Sequence, residues 1–185
     1  MTEQEKMNLG LWYDANYNQE LIDLRMKAMD LCFELNQLKP SLIKQRNELL
    51  TQLLGYQPID LVLISPFICD YGTNIHFGKD VFVNSNCYFM DGAHITIDDH
   101  VKIGPFCGFY TAAHPLEVDK RDAGLEKALP IHIGKSVWLG ANVSIMPGVS
   151  IGENSVIGAG SVVTHDIEAN VVAAGVPCQV IKKLK

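Results

Sequence analysis

The sequence predicts a mainly β fold: a parallel β-helix of hexapeptide repeats with a small N-terminal helical module and a protruding loop. Three observations predict it. From Ile133 an aliphatic side chain returns every six residues, at Leu139, Ile145, Ile151, Ile157 and Val163. Residues 1–57 instead carry apolar stripes at helical spacing. Between the two regular patterns, His114–Pro130 has seven charged residues and no hexad.

The helical module comes first. Leu21, Leu24, Ala28, Leu31, Leu35 and Leu38 advance in steps of three and four, which puts them on one side of a helix. Asn18 is the expected N-cap, since a short polar side chain can accept from the orphan amides of the first turn. Pro40 permits a second helical start, because its missing N–H would be unpaired there anyway. The second stripe is Leu42, Ile43, Leu49, Leu50, Leu53 and Leu54, and Gly55 suits the stop. Two amphipathic helices of this size must pack on something else.

The repeats supply that partner over 58–185. Neither a 3.6-residue helix nor a period-2 strand returns a side chain every six positions. A fixed short period marks a solenoid, here one strand and one turn per hexad, with three hexads to a triangular coil. Glycine follows the aliphatic at Gly134, Gly140, Gly152 and Gly158, as expected where positive φ or close backbone approach is needed. Mostly small residues stand four positions after the aliphatic, from Val137 to Ile167. The same phase runs earlier through Phe77, Val83 and Phe89, slips by two, and resumes at Ile97, Ile103 and Phe109. An ordinary sandwich would space its strands irregularly. The 114–130 loop interrupts the solenoid, and a loop of that length in a compact protein is usually functional or disordered.

Composition removes several function classes. The chain has 185 residues, 48% hydrophobic and 19% charged, which is not the composition of a disordered chain. A net charge of −6 offers no general attraction to polyanions, so nucleic acid is not an expected partner. No apolar run approaches the ~20 residues that span a bilayer, and the N-terminus has no signal-type apolar stretch. Five cysteines without a C-x-x-C fit a reducing cytoplasm better than a disulfide framework or zinc knuckle.

Particular segments carry a resemblance. They are Glu5-Lys6-Met7 with Gly10 and Tyr13-Asp14, then Cys69-Asp70-Tyr71-Gly72 and Phe82-Val83-Asn84. Thr111-Ala112-Ala113-His114-Pro115, Val137-Trp138-Leu139-Gly140 and Val171 to Pro177 complete the set. Together they resemble the hexapeptide-repeat acyltransferases, and within them the maltose and galactoside O-acetyltransferases. The resemblance implies left-handed coils, a homotrimer with sites between subunits, and acetyl transfer from acetyl-CoA to a sugar hydroxyl. The chemistry can be argued directly. A hydroxyl needs a positioned base at neutral pH, and the thioester carbonyl needs a donor as it becomes an oxyanion. The thioester is already activated, so neither a covalent enzyme intermediate nor a metal is required.

By position in the resembling motifs, His114 is the base and Asn84 assists the transition state. Read alone, His114 is a solvated histidine at a loop root, and Asn84 a turn asparagine bonded to its own backbone. The resemblance puts Asp14, Arg25, Asp70 and Asp91 on the acceptor side; the acidic position of relatives beside Asp91 is Gly92 here. It puts Trp138, Ala141, Ala159, Thr164, His165 and Lys182 on the CoA side. Trp138 would be a flat wall for the pantetheine arm, or an interface residue. His165 stands where relatives have lysine, and Gln179 and Lys182 where they often have arginine. Lys182, Lys183 and Lys185 still supply cations, without arginine's bidentate fork.

Rival readings keep the solenoid and change the function. A different acceptor is one: an amino sugar, an antibiotic or serine. A gamma-type carbonic anhydrase is another, with His76, His94 and His100 as candidate zinc ligands. A silent scaffold is the third, although it would be expected to lack His114 or Asn84. Isolated coils also present apolar sides, and Trp138 and the Phe109 region are the candidates for cover by a neighbouring subunit.

Overall fold

The computed structural model describes all 185 residues. The N-terminal module holds α1 (Glu3–Asn8), α2 (Gln19–Gln37) and α3 (Ile43–Leu54). A capping box between Thr2 and Glu5 starts α1, and Asn18 accepts from the Leu21 amide to start α2. Gly55, at φ 78°, closes α3 in the left-handed conformation. Pro40 does not open α3; the helix begins at Ile43 with no side-chain cap, and Leu42 and Ile43 stay exposed. The module is not wholly helical either, because Tyr13–Asp14 is a short strand.

From Val62 the chain winds round three parallel sheets, the walls of a triangular prism. The first wall contains Val62–Leu63, Phe82–Val83, Lys102–Ile103, Trp138–Leu139, Val156–Ile157 and Val171–Ala174. The second contains Phe67–Cys69, Cys87–Met90, Gly108–Tyr110, Ser144–Ile145 and Val162–Val163. The third contains Ile75–Phe77, Ile95–Ile97, Ile131–Ile133 and Ser150–Ile151. In the strict coils one turn takes 18 residues, since Ile133 pairs with Ile151, Leu139 with Ile157 and Ile145 with Val163. Every aliphatic of the repeat points inward and is buried.

Two details of the repeat become visible only in three dimensions. The glycine after the aliphatic is needed for close approach: a Cβ on Gly140 would stand 2.6 Å from the Ala159 amide nitrogen, and one on Gly152 would stand 2.4 Å from that of Ala169. The positive φ falls two residues later, on Asp80, Asn86, His100, Phe106, Ser136, Asn142 and Asn154. Phe109 is fully buried in the core, so it does not offer a surface to a neighbour; the exposed ring in that region is Phe106.

Both ends of the solenoid are covered. α2 and α3 lie on the first coil, where Ala28, Cys32, Leu35, Leu50, Leu53 and Leu54 join the coil aliphatics in one core of 35 buried residues. Asn36 exchanges two hydrogen bonds with the Phe67 backbone, and buried Arg46 donates to the Leu35 and Leu63 carbonyls and to Ser65 Oγ. At the other end Gln179–Lys183 folds back antiparallel on Val171–Ala174. These covers keep the terminal strands from presenting bare edges.

The 114–130 insertion is ordered. It contains α4 (Val118–Asp122) and a strand, Leu125–Ala128, that pairs antiparallel with both Ala112–Ala113 and Tyr13–Asp14. A second small core joins the N-terminal module, the first coil and this insertion through Met7, Tyr13, Ala15, Leu21, Tyr71 and Ala128.

Candidate active site

The residues singled out from the sequence fall on two different corners of the prism. Asn84 follows Phe82–Val83 at the corner between the first and second walls. Its amide donates to the Ile103 carbonyl, and the same ladder continues through Gly104, Gly140 and Gly158. Ala141 and Ala159 are neighbours on the next column of that corner, joined by the Gly160 amide to the Ala141 carbonyl. Trp138 stands on the adjoining first wall, 57% exposed, and Lys182 is exposed on the strand added to that wall. At about 4.8 Å per coil, Asn84 to Ala159 spans roughly 14 Å along the axis. A long thin ligand arm suits such a line.

The remaining residues gather at the corner between the second and third walls. Asp70, Asp91 and His114 lie there on successive coils, with Thr164 and His165 further along. Arg25 reaches this corner from α2. Its guanidinium donates to the Tyr71 hydroxyl at 2.8 Å and to the Ala15 carbonyl at 2.6 Å. Thr164 Oγ1 and His165 Nδ1 are bonded to each other at 2.7 Å. Asp14 Oδ1 accepts from the Asn16 and Tyr17 amides, which closes the turn before α2.

His114 is exposed, and its Nδ1 lies 3.0 Å from the Leu125 carbonyl oxygen. Only a protonated Nδ1 satisfies that contact, so the neutral ring carries its lone pair on Nε2. The anchor comes from the insertion strand, 11 residues on. Asn84 Oδ1 accepts from the Ser85 amide at 2.8 Å, the local bond expected of a turn asparagine. That bond fixes the side chain and leaves its NH₂ group to donate.

Asp91 needs a correction. It was expected to contact an acceptor, but its side chain is fully buried. Its Oδ1 accepts from the Asp70 and Tyr71 amides, and no protein group meets its Oδ2. Burial raises its pKa to about 6. It holds the Asp70–Tyr71 turn from behind. Asp70 itself is half-buried, takes the Tyr88 hydroxyl at 2.6 Å and has its pKa raised, chiefly by burial. Burial also pushes the Tyr71 hydroxyl up to about 12.

Tyr13, Tyr71, Tyr88 and Glu126 also bond into this corner, and sequence reasoning did not single them out. Tyr13 donates its hydroxyl to Glu126 Oε1 beside Gly92, a pairing set by strand register that no local motif marks. The three histidines considered as zinc ligands do not converge. His76 and His94 meet at 3.1 Å on the third wall, whereas His100 pairs with Asp80 at 2.9 Å.

Comparison with known proteins matches both halves. Residues 6–56 match the maltose acetyltransferase hexapeptide capping motif, and residues 130–165 match six repeats of the bacterial transferase hexapeptide. A Staphylococcus aureus (strain Mu50) protein, named only as a candidate acetyltransferase, is 55% identical over 184 residues, covering 100% of this chain and 92% of its own. The crystal structure of a maltose O-acetyltransferase from Clostridium difficile 630 superposes with TM-score 0.97 at 43% identity, covering 100% of this chain and 98% of that one. A galactoside acetyltransferase in complex with coenzyme A gives TM-score 0.90 at 37% identity, covering 100% and 92%. With a helical cap, hexapeptide coils and full-length similarity all agreeing, the chain belongs to the maltose and galactoside acetyltransferase family of hexapeptide-repeat enzymes.

Proposed function

We propose that this acetyltransferase moves the acetyl group of acetyl-CoA onto a hydroxyl of a sugar such as maltose, glucose or a galactoside, by direct transfer. The observation that carries the reading is the anchored imidazole of His114, with its lone pair on Nε2. Nε2 takes the proton of the acceptor hydroxyl as its oxygen attacks the thioester carbonyl. The Asn84 amide donates to the resulting oxyanion. The tetrahedral species collapses, the C–S bond breaks, and the imidazolium returns the proton to the leaving thiolate. The products are the sugar ester and free CoA. Trp138, Ala141 and Ala159 would line the cofactor arm, Thr164 and His165 its further course, and Lys182 the nucleotide phosphates. Asp14, Arg25 and Asp70 would face the sugar. Coenzyme A in a solved relative and maltose in the name of another support both substrates.

The site would be shared between subunits of a homotrimer. His114 and Asn84 stand at opposite edges of the second wall, about 15–20 Å apart at 3.3 Å per residue. They can act together only if one chain's second–third corner meets the first–second corner of a neighbour, a head-to-tail contact that a threefold ring closes. The outward side chains agree. The first wall shows Val62, Phe82, Trp138 and Val156 with one cation, Lys102, among them, and the second shows Ile68 and Tyr88, whereas the third shows His76, Thr96, His132 and Ser150. The five free, buried cysteines support a reducing compartment, the cytoplasm; Cys32 and Cys69 sulfurs lie 3.7 Å apart unbridged. No helix is long and apolar enough to cross a membrane.

Mixing two inactive variants tests both points. His114→Ala and Asn84→Ala chains, unfolded together in equal amounts and reassembled, should recover about a quarter of wild-type turnover, because random assortment leaves that share of heterologous sites intact. Light scattering should give about three times 20.5 kDa. No recovery from correctly assembled mixtures would put both residues in one chain's site.

A further inference from the structure

We infer that His76 and His94 form a binding site for a divalent transition-metal ion of the kind that prefers imidazole, such as zinc, nickel or copper. The site lies on the third wall, and the inference does not depend on the acetyl-transfer reading. The two side chains stand on consecutive coils, His76 within Ile75–Phe77 and His94 just before Ile95–Ile97. Their facing nitrogens, His76 Nε2 and His94 Nδ1, are 3.1 Å apart. Two imidazole nitrogens each ~2.05 Å from one zinc ion are separated by about 2.9 Å at a right angle and about 3.3 Å at the tetrahedral angle. The observed spacing falls between those limits. Without an ion, one of the two nitrogens carries the proton of an N–H···N bond. An ion takes both lone pairs once that ring shifts its proton to its other nitrogen and the rings turn in place.

The pair is held in place from behind. Tyr56, just after α3, lays its ring along that of His76, with centroids 6.1 Å apart and planes 23° from parallel. The Tyr56 hydroxyl accepts from the Phe77 amide at 2.7 Å, so the tyrosine that steadies the imidazole is itself fixed. Burial, and then the neighbouring His94, lowers the His76 pKa, which favours the neutral ring that a metal needs. Both histidines are exposed, so the open side of the pair can take an ion from solvent. The neighbouring histidines are differently occupied: His132 Nε2 meets Asp98 Oδ2 at 3.0 Å, and His100 Nδ1 meets Asp80 Oδ2 at 2.9 Å. Two nitrogens with no carboxylate beside them select against magnesium and calcium, which require oxygen ligands. The chain has no group of three His, Cys, Asp or Glu side chains placed to hold an ion, so water completes the coordination. A bound ion would clasp the first two coils of this wall.

Calorimetric titration of the full-length protein, free of any histidine tag, with zinc chloride tests the site. Zinc should saturate at one ion per chain, with half-saturation well below about 1 mM, and magnesium should not compete. His76→Gln and His94→Gln should each weaken zinc binding by about tenfold or more, since a lost ligand costs at least as much as a lost outer partner. Both side chains are exposed, so circular dichroism and assembly mass should match wild type. If one variant fails to assemble, the other, on a separate coil, is read in the same way. His132→Gln alters the adjacent His–Asp pair and should leave zinc affinity unchanged. Melting supplies the second readout: zinc should raise the melting temperature of wild type but of neither His76→Gln nor His94→Gln, because an ion bound only by the folded state stabilises it. Half-saturation at about 1 mM or above overturns the inference, as does equal competition by magnesium. Undiminished zinc binding by His76→Gln and His94→Gln, or an equal loss in His132→Gln, places the ion elsewhere and overturns it too.

Discussion

The two corners at the ends of the second wall obey different rules. At the first–second corner the repeat never slips: Leu63 to Cys69, Val83 to Phe89, Ile103 to Phe109, Leu139 to Ile145 and Ile157 to Val163 are all six residues apart. At the second–third corner the step is eight from Cys69 to Phe77 and from Phe89 to Ile97, and 24 from Phe109 to Ile133. Only Ile145 to Ile151 keeps to six. The strict corner is a straight edge of close-packed backbone, with Gly104, Gly140 and Gly158 in one ladder with Asn84 and the exposed Phe106 ring standing out from it. The irregular corner carries Asp70, Asp91, His114 and, across the insertion, Glu126. A strict corner keeps its charged residues on the outside of the coil, as His100 against Asp80 and His132 against Asp98 do around the third-to-first corner, and has no room for a buried carboxylate such as Asp91. Extra residues at one corner create that room without disturbing the inward aliphatics.

The sharpest way to break this contrast is to remove the chemistry from each corner in turn. His114→Ala should lower turnover by ~10²–10⁴-fold, the usual contribution of a general base, with circular dichroism and assembly mass unchanged. Asn84→Ala, on the strict corner, should lower kcat by about 10²–10³-fold and leave KM for acetyl-CoA nearly constant, since an oxyanion donor acts in the transition state. A raised KM with intact kcat would reduce Asn84 to a turn residue and leave the strict corner with binding alone.

Asp91 sharpens the comparison through stability. Its folded pKa of about 6 lies above the ordinary carboxylate value, because burial disfavours the charge. The folded state therefore binds the extra proton first, and this group stabilises the protein as pH falls from about 6 towards 4. Against Asp91→Asn, which cannot titrate, the wild-type melting temperature should gain steadily between pH 7 and pH 4.5. The full shift is worth at most about 3 kcal/mol. A difference that stays flat would mean that the carboxylate is solvated or paired.

The smallest expected effect lies at the end of the strict corner. Lys182 is exposed and Lys183 pairs loosely with Glu168 at 3.6 Å, so each contact with a CoA phosphate should contribute about 1 kcal/mol or less. Truncation after Ile181 should raise KM for acetyl-CoA severalfold with kcat nearly unchanged, and the effect should vanish with an acetyl-pantetheine donor that lacks the nucleotide. An equal loss with both donors would make the tail structural.

The hexad pattern by itself determined the solenoid, its three walls and its inward residues, because a six-residue period constrains every turn locally and repeatedly. The helix stripes, the Asn18 cap and the Gly55 stop were equally legible, being contacts within a few residues. His114 could be named because it stands in the Thr111–Pro115 segment that carries the family resemblance, at the root of the loop that breaks the repeat; read alone it would be a solvated histidine. Other properties were decided by contacts between residues far apart in the chain. Asp91 is buried because the Asp70–Tyr71 turn, 20 residues earlier, lends it two amides. Glu126 stands over Gly92 because the insertion strand registers against Tyr13, more than 100 residues away. The separation of His114 from Asn84 depends on which corner each coil assigns to them, so only the folded prism places them at opposite edges of the second wall.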